Sequence, residues 1–98
     1  MSLSTMKKCS NFNYKIEGNA SWKPVRAYSD RERTYIQFKN EFLTNSETPT
    51  ILLKQGNEES LVNYSINGIT YIVPLILSSN EKFVLMVEDN IVTVSQDN

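Results

Sequence analysis

Residues 61–73 read LVNYSI-NG-ITYIV, two runs of strand-forming residues joined by Asn67-Gly68. An Asn-Gly pair between such runs is a strong hairpin signal, because both central residues of a type I′ turn need positive φ. We therefore predict a hairpin with strands over residues 61–66 and 69–77 and its turn at Asn67 and Gly68. The second run is apolar on both faces, which predicts a central strand, and Pro74 predicts a bulge or break within it.

The rest of the chain repeats this pattern of short strands and polar turns. Apolar and polar residues alternate over residues 12–16, and the run at 33–38 places Thr34, Ile36 and Phe38 on one face. Turn signals recur about every 8–12 residues, which is typical of an all-β domain built as a sandwich or a barrel. We predict about eight short, mostly antiparallel strands, the others lying at residues 22–28, 50–53, 83–87 and 91–94.

Length and composition indicate one globular domain. The chain has 98 residues, of which 40% are apolar and 21% charged, enough for a single core and unlike a disordered segment. Residues 1–11 are assigned to a tag remnant, Met1-Ser2-Leu3, followed by a disordered N-terminal segment. Residues 12–98 are assigned to the single folded domain, with the longest loop at 39–49.

The same composition argues against several classes of function. The net charge is -1, so there is no basic field to bind the phosphates of nucleic acid. The absence of histidine removes the usual general base and the commonest metal ligand. No apolar run approaches the roughly 18 residues of a membrane-spanning helix. We therefore predict a protein that is not an enzyme, with no cofactor, no metal and no membrane span.

The candidate sites in the sequence each have a simpler structural explanation. Three acidic pairs fall in predicted turns, where we interpret them as hydrated charges and not as catalytic or calcium-binding groups. The five tyrosines suit either a sugar-stacking platform or ordinary cross-strand packing, and we favour packing. The acidic pairs are Asp30 with Glu32, Glu58 with Glu59, and Glu88 with Asp89.

An exposed sheet edge is the remaining general possibility for a binding site. Pro24 marks the extended run at 22–28 as an edge, because proline cannot donate to a ladder. The unpaired backbone groups of an edge accept a strand from a partner. On this argument the partner-binding residues are Trp22, Val25, Tyr28 and Tyr35.

Cys9 is the single cysteine of the chain. One cysteine cannot form an internal disulfide or a cysteine-based zinc site. Two alternatives remain for Cys9, an intermolecular disulfide in an oxidising compartment or an uncommitted thiol on a frayed end.

The order of several short blocks resembles the C-terminal domain of the TrbG/CagX family. This family comprises the ninth components of VirB-type type IV secretion systems and of conjugation machines. The resemblance covers residues 12–95 and rests on the spacing of all blocks together. The blocks are Tyr14-x-Ile16-x-Gly18, Trp22-x-Pro24-Val25-x-x-Tyr28, Asp30, Arg33-Thr34-Tyr35-Ile36-x-Phe38, Pro49 before Ile51-Leu52-Leu53, Leu61-Val62-Asn63-Tyr64 and Tyr71-x-Val73.

The chain departs from the family in two of its turns. The family has Asp-Gly before Arg33, where this chain has Ser29-Asp30-Arg31-Glu32. The last turn lacks the family's glycine, and we expect Asn90 to adopt the left-handed conformation in its place.

The resemblance implies a β-sandwich that is the C-terminal domain of a longer, exported protein. It further implies a periplasmic, outer-membrane-associated component that stands in many copies in a ring, the outer-membrane core complex. The implied partners are the small outer-membrane lipoprotein of the system, which adds a strand, the VirB10-like channel subunit and copies of the chain itself. The implied function is structural. A generic carbohydrate- or ligand-binding sandwich is the alternative, and an oligonucleotide-binding barrel is a third reading.

Overall fold

A computed structural model describes residues 12–39 and 48–96, and these residues form nine strands. The first five are β1 (Tyr14–Gly18), β2 (Arg26–Ser29), β3 (Thr34–Gln37), β4 (Thr50–Gln55) and β5 (Glu58–Leu61). The other four are β6 (Ser65–Asn67), β7 (Thr70–Val73), β8 (Glu81–Val87) and β9 (Asn90–Gln96). All strand pairs are antiparallel. No helix among the described residues has the length and apolar character needed to cross a membrane.

The strands form two sheets that bury one core between them. The five-stranded sheet has the order β1-β9-β8-β4-β5, and the four-stranded sheet has the order β2-β3-β7-β6. Alternation places every second residue inward, and the predicted inward face of β3 is confirmed, since Thr34, Ile36 and Phe38 are all buried. Both sheets contribute to the core, which contains Ala27, Ile36, Phe38, Ile51, Tyr71, Val73, Leu77, Phe83, Leu85, Val92 and Val94. The fold is therefore the all-β sandwich.

A cluster of three aromatic residues, Phe38, Tyr64 and Tyr71, fills the part of the core next to β6 and β7. The rings of Tyr64 and Tyr71 stack with centroids 5.2 Å apart, and Phe38 meets Tyr71 edge to face at 5.0 Å. Burial raises the pKa of Tyr71, and a hydrogen bond from the side chain of Thr48 acts in the opposite direction. Tyr71 thus remains a neutral phenol within the core.

The predicted hairpin exists, but its turn and its first strand differ from the prediction. Asn67 lies in β6 and pairs with Thr70, so the turn residues are Gly68 and Ile69. Gly68 has a φ of 65°, whereas Asn67 and Ile69 do not have positive φ. A two-residue turn with positive φ at its first position only is of type II′, so the predicted type I′ turn is wrong.

The predicted strand over residues 61–66 is two strands in different sheets. Leu61 ends β5 and pairs with β4, residues 62–64 cross between the layers, and Ser65 begins β6. This crossing explains why there are nine strands and not eight. The predicted strand at 69–77 is central in its sheet, between β3 and β6, but it ends at Val73 because Pro74 interrupts it.

The last turn also differs from the prediction. Val87 pairs with Asn90, so the two turn residues are Glu88 and Asp89. Glu88 adopts the left-handed conformation with a φ of 54°, and Asn90 is the first residue of β9. The register of the hairpin, and not the residue best suited to the conformation, selects the position that needs positive φ.

Candidate partner-binding site

Two free strand edges lie side by side at one margin of the sandwich. β1 is the outer strand of the five-stranded sheet, and β2 is the outer strand of the four-stranded sheet. The hydroxyl of Tyr14 on β1 donates to the Ser29 hydroxyl on β2 at 2.8 Å, which joins the two edges. Within residues 12–39 and 48–96, neither strand has a second paired neighbour. We call this margin the open margin.

A groove of about 410 Å³ runs along the open margin. Its exposed lining is more polar than apolar in area, but two apolar side chains of the lining are strongly exposed, Phe12 at 59% and Val25 at 54%. Exposed apolar side chains next to unpaired backbone groups are the features that accept an extended peptide as an added strand. The lining residues are Phe12, Tyr14, Ile16, Val25, Arg26 and Ala27.

An aromatic stack extends from the groove over the outer face of the four-stranded sheet. Phe12 stacks on Tyr28 with ring centroids 5.2 Å apart, and Tyr28 stacks on Tyr35 at 5.0 Å. Tyr28 and Tyr35 are directly paired across β2 and β3. Because Tyr28 lies between two other rings, both of its faces are covered. This arrangement is unlike a sugar-stacking platform, which needs exposed ring faces, and we infer that the stack instead forms a continuous apolar surface.

The turn between β2 and β3 holds this stack in place through Asp30. One carboxylate oxygen accepts the backbone N–H of Glu32 at 2.8 Å and of Arg33 at 2.7 Å. The other oxygen accepts the hydroxyl of Tyr35 at 2.7 Å. The backbone N–H of Glu32, then the Tyr35 hydroxyl and the backbone N–H of Arg33, hold the pKa of Asp30 below its usual range. Asp30 is thus a structural acceptor and not merely a hydrated turn residue.

Asp30 links the stability of this turn to pH. Its pKa is lower in the folded chain, so its contribution is complete above the unfolded pKa of about 4 and is lost as pH falls through the folded pKa. We expect Asp30→Asn to cost about 1 kcal/mol of unfolding free energy at pH 7, because a neutral amide accepts hydrogen bonds more weakly than a carboxylate and has only one oxygen for the three donors. Urea denaturation of both proteins between pH 7 and pH 2 measures the difference, which we expect to shrink in acid.

The control for this prediction is Tyr35→Phe, which removes only the hydroxyl that bonds to Asp30. Its effect is expected to be smaller than that of Asp30→Asn. A difference between wild type and Asp30→Asn that stays constant down to pH 2 would contradict the role assigned to the carboxylate.

The four partner-binding residues predicted from the sequence have different positions. Val25 lines the groove, and Tyr28 and Tyr35 form two members of the aromatic stack. Trp22 is half-buried and packs against the core, with its indole Nε1 buried and without a hydrogen-bond partner among the described residues. Three of the four therefore lie at or beside the open margin. Cys9 and most of the 39–49 loop lie outside the described residues, as does the predicted N-terminal tail.

Phe12, Arg26 and Asp30 also belong to this surface, although they were not among the residues predicted from the sequence. Phe12 and Arg26 lie in runs predicted to be strands, but their approach depends on how β1 and β2 meet. Asp30 could have been predicted from the sequence. An aspartate at the start of a turn typically accepts the backbone N–H of the residue two positions later, as Asp30 does with Glu32.

The other margin of the sandwich is formed by β5 and β6 and differs from the open margin. All four residues of β5 are exposed, and Glu58 and Glu59 place two carboxylates on it. Charged residues on an edge strand oppose pairing with another chain, and β6 has only three residues. Leu61 and Ile66 are exposed there at 76% and 53%.

Comparison with known proteins identifies the family. The sequence model of CagX, described as a conjugal transfer protein, matches residues 4–97. The chain belongs to the TrbG/CagX family. Within this family, a stretch of 63 residues is 38% identical to the probable conjugal transfer protein TrbG of Sinorhizobium fredii (strain NBRC 101917 / NGR234). That stretch covers 64% of this chain and 23% of the length of that protein.

Family membership confirms the resemblance found in the sequence blocks. The TrbG/CagX domain of this chain is the nine-stranded sandwich described above. Among the described residues, no cluster of three or more cysteine or acidic side chains is arranged to hold a metal ion.

Proposed function

We propose that this TrbG/CagX domain is a non-enzymatic assembly component of a type IV secretion or conjugation machine in the bacterial envelope. The observation that carries this proposal is the match of residues 4–97 to a family of conjugal transfer proteins. The location that we propose is the periplasm, in association with the outer membrane. The role is to anchor and connect other components of the outer-membrane core complex.

The partner that we assign to the open margin is the small lipoprotein of the same system. The groove there has unpaired backbone edges on two sides, and Phe12 and Val25 expose apolar surface beside them. An extended segment pairs its backbone with one edge and inserts alternate side chains into the groove. Contacts with the VirB10-like channel subunit and with further copies in a ring belong to the same proposal, on surfaces outside the groove.

A titration of the isotope-labelled chain with the small lipoprotein encoded beside its gene tests the proposal. NMR signals of β1 and β2 are expected to shift, and the lipoprotein segment is expected to become extended and protected from hydrogen exchange. Absence of any shift at high lipoprotein concentration would overturn the assignment of this partner.

A matched pair of variants locates the binding surface. Val25 and Ile66 are similarly exposed, at 54% and 53%, but only Val25 lies in the groove. Val25→Gln is expected to weaken lipoprotein binding about tenfold, because it places a polar amide in the apolar contact. Ile66→Gln is expected to leave the dissociation constant unchanged. Equal effects of the two changes would contradict the assignment of the groove.

A further inference from the structure

The two segments that form the open margin carry an excess of positive charge. Residues 12–29 contain three basic side chains, Lys15, Lys23 and Arg26, and a single acidic one, Glu17, although the whole chain has a net charge of -1. The hairpin of β4 and β5 has the opposite balance, with Lys54 against Glu58 and Glu59. The groove therefore lies between two segments that together carry a net positive charge, and Arg26 is the basic residue that lines it.

Among the described residues, these basic side chains form no ion pair. The ion pair found in the described part of the chain joins Arg33 to Glu32 at 3.9 Å, in the turn after β2. Within those same residues, no carboxylate lies within 4.0 Å of Lys15, Lys23 or Arg26. Arg26 is exposed and lines the groove directly, between the apolar residues Val25 and Ala27. Its guanidinium is thus available to a carboxylate of an occupant.

We propose that the groove selects an extended peptide segment that carries acidic side chains beside its apolar ones. This inference rests on the proposed function, since it specifies the chemistry of the partner at the same site. Paired to an edge strand, the segment places its side chains alternately, so that apolar residues enter the groove. Its neighbouring carboxylates then meet Arg26 at the rim. Charge complementarity of this kind increases the association rate and fixes the register of the added strand.

Three synthetic peptides test this selection. Each is about ten residues long, enough to cover a strand, and alternates leucine with glutamate, glutamine or lysine. The glutamate peptide is expected to bind to the labelled 98-residue chain about two- to fivefold more tightly than the glutamine peptide at low salt, and the lysine peptide most weakly. The advantage of glutamate over glutamine is expected to shrink as salt is raised, because exposed charges are screened.

Charge reversal at Arg26 assigns the effect to the groove. Arg26→Glu is expected to remove the preference for the glutamate peptide. The control is Lys82→Glu, which makes the same charge change at an exposed position of β8, away from the groove. A preference that survives Arg26→Glu, or that Lys82→Glu removes equally, would overturn the inference.

The same measurements separate this inference from the proposed function. Lipoprotein binding that is insensitive to salt and to Arg26→Glu overturns the acidic specificity and leaves the lipoprotein as the partner. Glutamate-peptide binding without lipoprotein binding supports the specificity and overturns the assigned partner. An acidic strand is also present in the chain itself, at Glu58 and Glu59 of β5. Concentration-dependent dimerisation that Arg26→Glu abolishes would show that a second copy, and not a separate peptide, occupies the groove.

Discussion

Gly18→Ala is expected to destabilise the domain by about 2–4 kcal/mol, because it combines backbone strain with overpacking. Gly18 ends β1 opposite Val92 of β9 and has a φ of 139°, a conformation that alanine rarely adopts. A Cβ atom there would lie 2.6 Å from the carbonyl oxygen of Ile91 and 2.9 Å from Cα of Val92. Both contacts are with backbone atoms, so a side-chain movement cannot relieve them.

Gly56→Ala is the matched control for this change. Gly56 has a φ of 62° in the turn between β4 and β5, and a Cβ there would meet nothing within 4 Å. Only the left-handed conformation opposes alanine at this position, at a cost of about 1 kcal/mol. Urea denaturation of both variants gives the comparison. Equal losses at the two positions would show that the close approach of β1 to β9 does not constrain residue 18.

The effect of Gly18→Ala is also expected to reach the binding site. β1 forms one wall of the groove, and displacing its end from β9 moves that wall. Amide hydrogen exchange is expected to accelerate along β1 in this variant, while β4 and β5 keep their protection. Unchanged protection of β1 would contradict this.

Tyr71→Ala is expected to cost about 3–5 kcal/mol, the range for removing a large aromatic side chain from a core. Tyr71 is 1% exposed and contacts the rings of both Tyr64 and Phe38, so its loss leaves two aromatic contacts unmade. A domain of this size has a total stability of about 5–15 kcal/mol, so this single change removes a large share. Thermal denaturation followed by circular dichroism measures the loss.

Two further variants separate the contribution of the Tyr71 ring to stability from the contributions of its hydroxyl and of the neighbouring residue. Tyr71→Phe keeps the aromatic contacts and is expected to cost about 1 kcal/mol or less. Ile72→Ala changes the next residue, which is half-buried and points away from the core, and is expected to cost about 1 kcal/mol. If Tyr71→Ala lowers the stability no more than Ile72→Ala does, the central role of the aromatic cluster is contradicted.

Much of this fold could be predicted from the sequence, because apolar and polar residues alternate along a strand wherever only one of its faces is buried. Thr34, Ile36 and Phe38 show the period of two clearly, and the strand at residues 83–87 is apolar because β8 lies in the middle of its sheet. The crossing at residues 62–64 could not be predicted in this way. Val62 and Tyr64 both pack against the core, so the alternation of a strand continues through the crossing. The local sequence there looks like one continuous strand.

The candidate site was only partly predictable for a related reason. The run at Pro24 indicated an edge, and β2 is indeed an outer strand. However, the groove also needs β1, and the contact of Phe12 with Tyr28 joins residues distant in the sequence. Such contacts depend on which strands end up as neighbours, which a local pattern does not specify. The position of Trp22 shows the converse, because a large aromatic residue near an edge packs inward when core space is available.

The carboxylates of β5 influence how copies of the chain can associate with one another. Two copies that met through their β5 strands would bring Glu58 and Glu59 of each close to those of the other, and like charges across a strand pair are unfavourable. Growth of a sheet at this margin by pairing like with like is therefore disfavoured. A high local concentration of copies does not favour a fibril built on paired β5 strands.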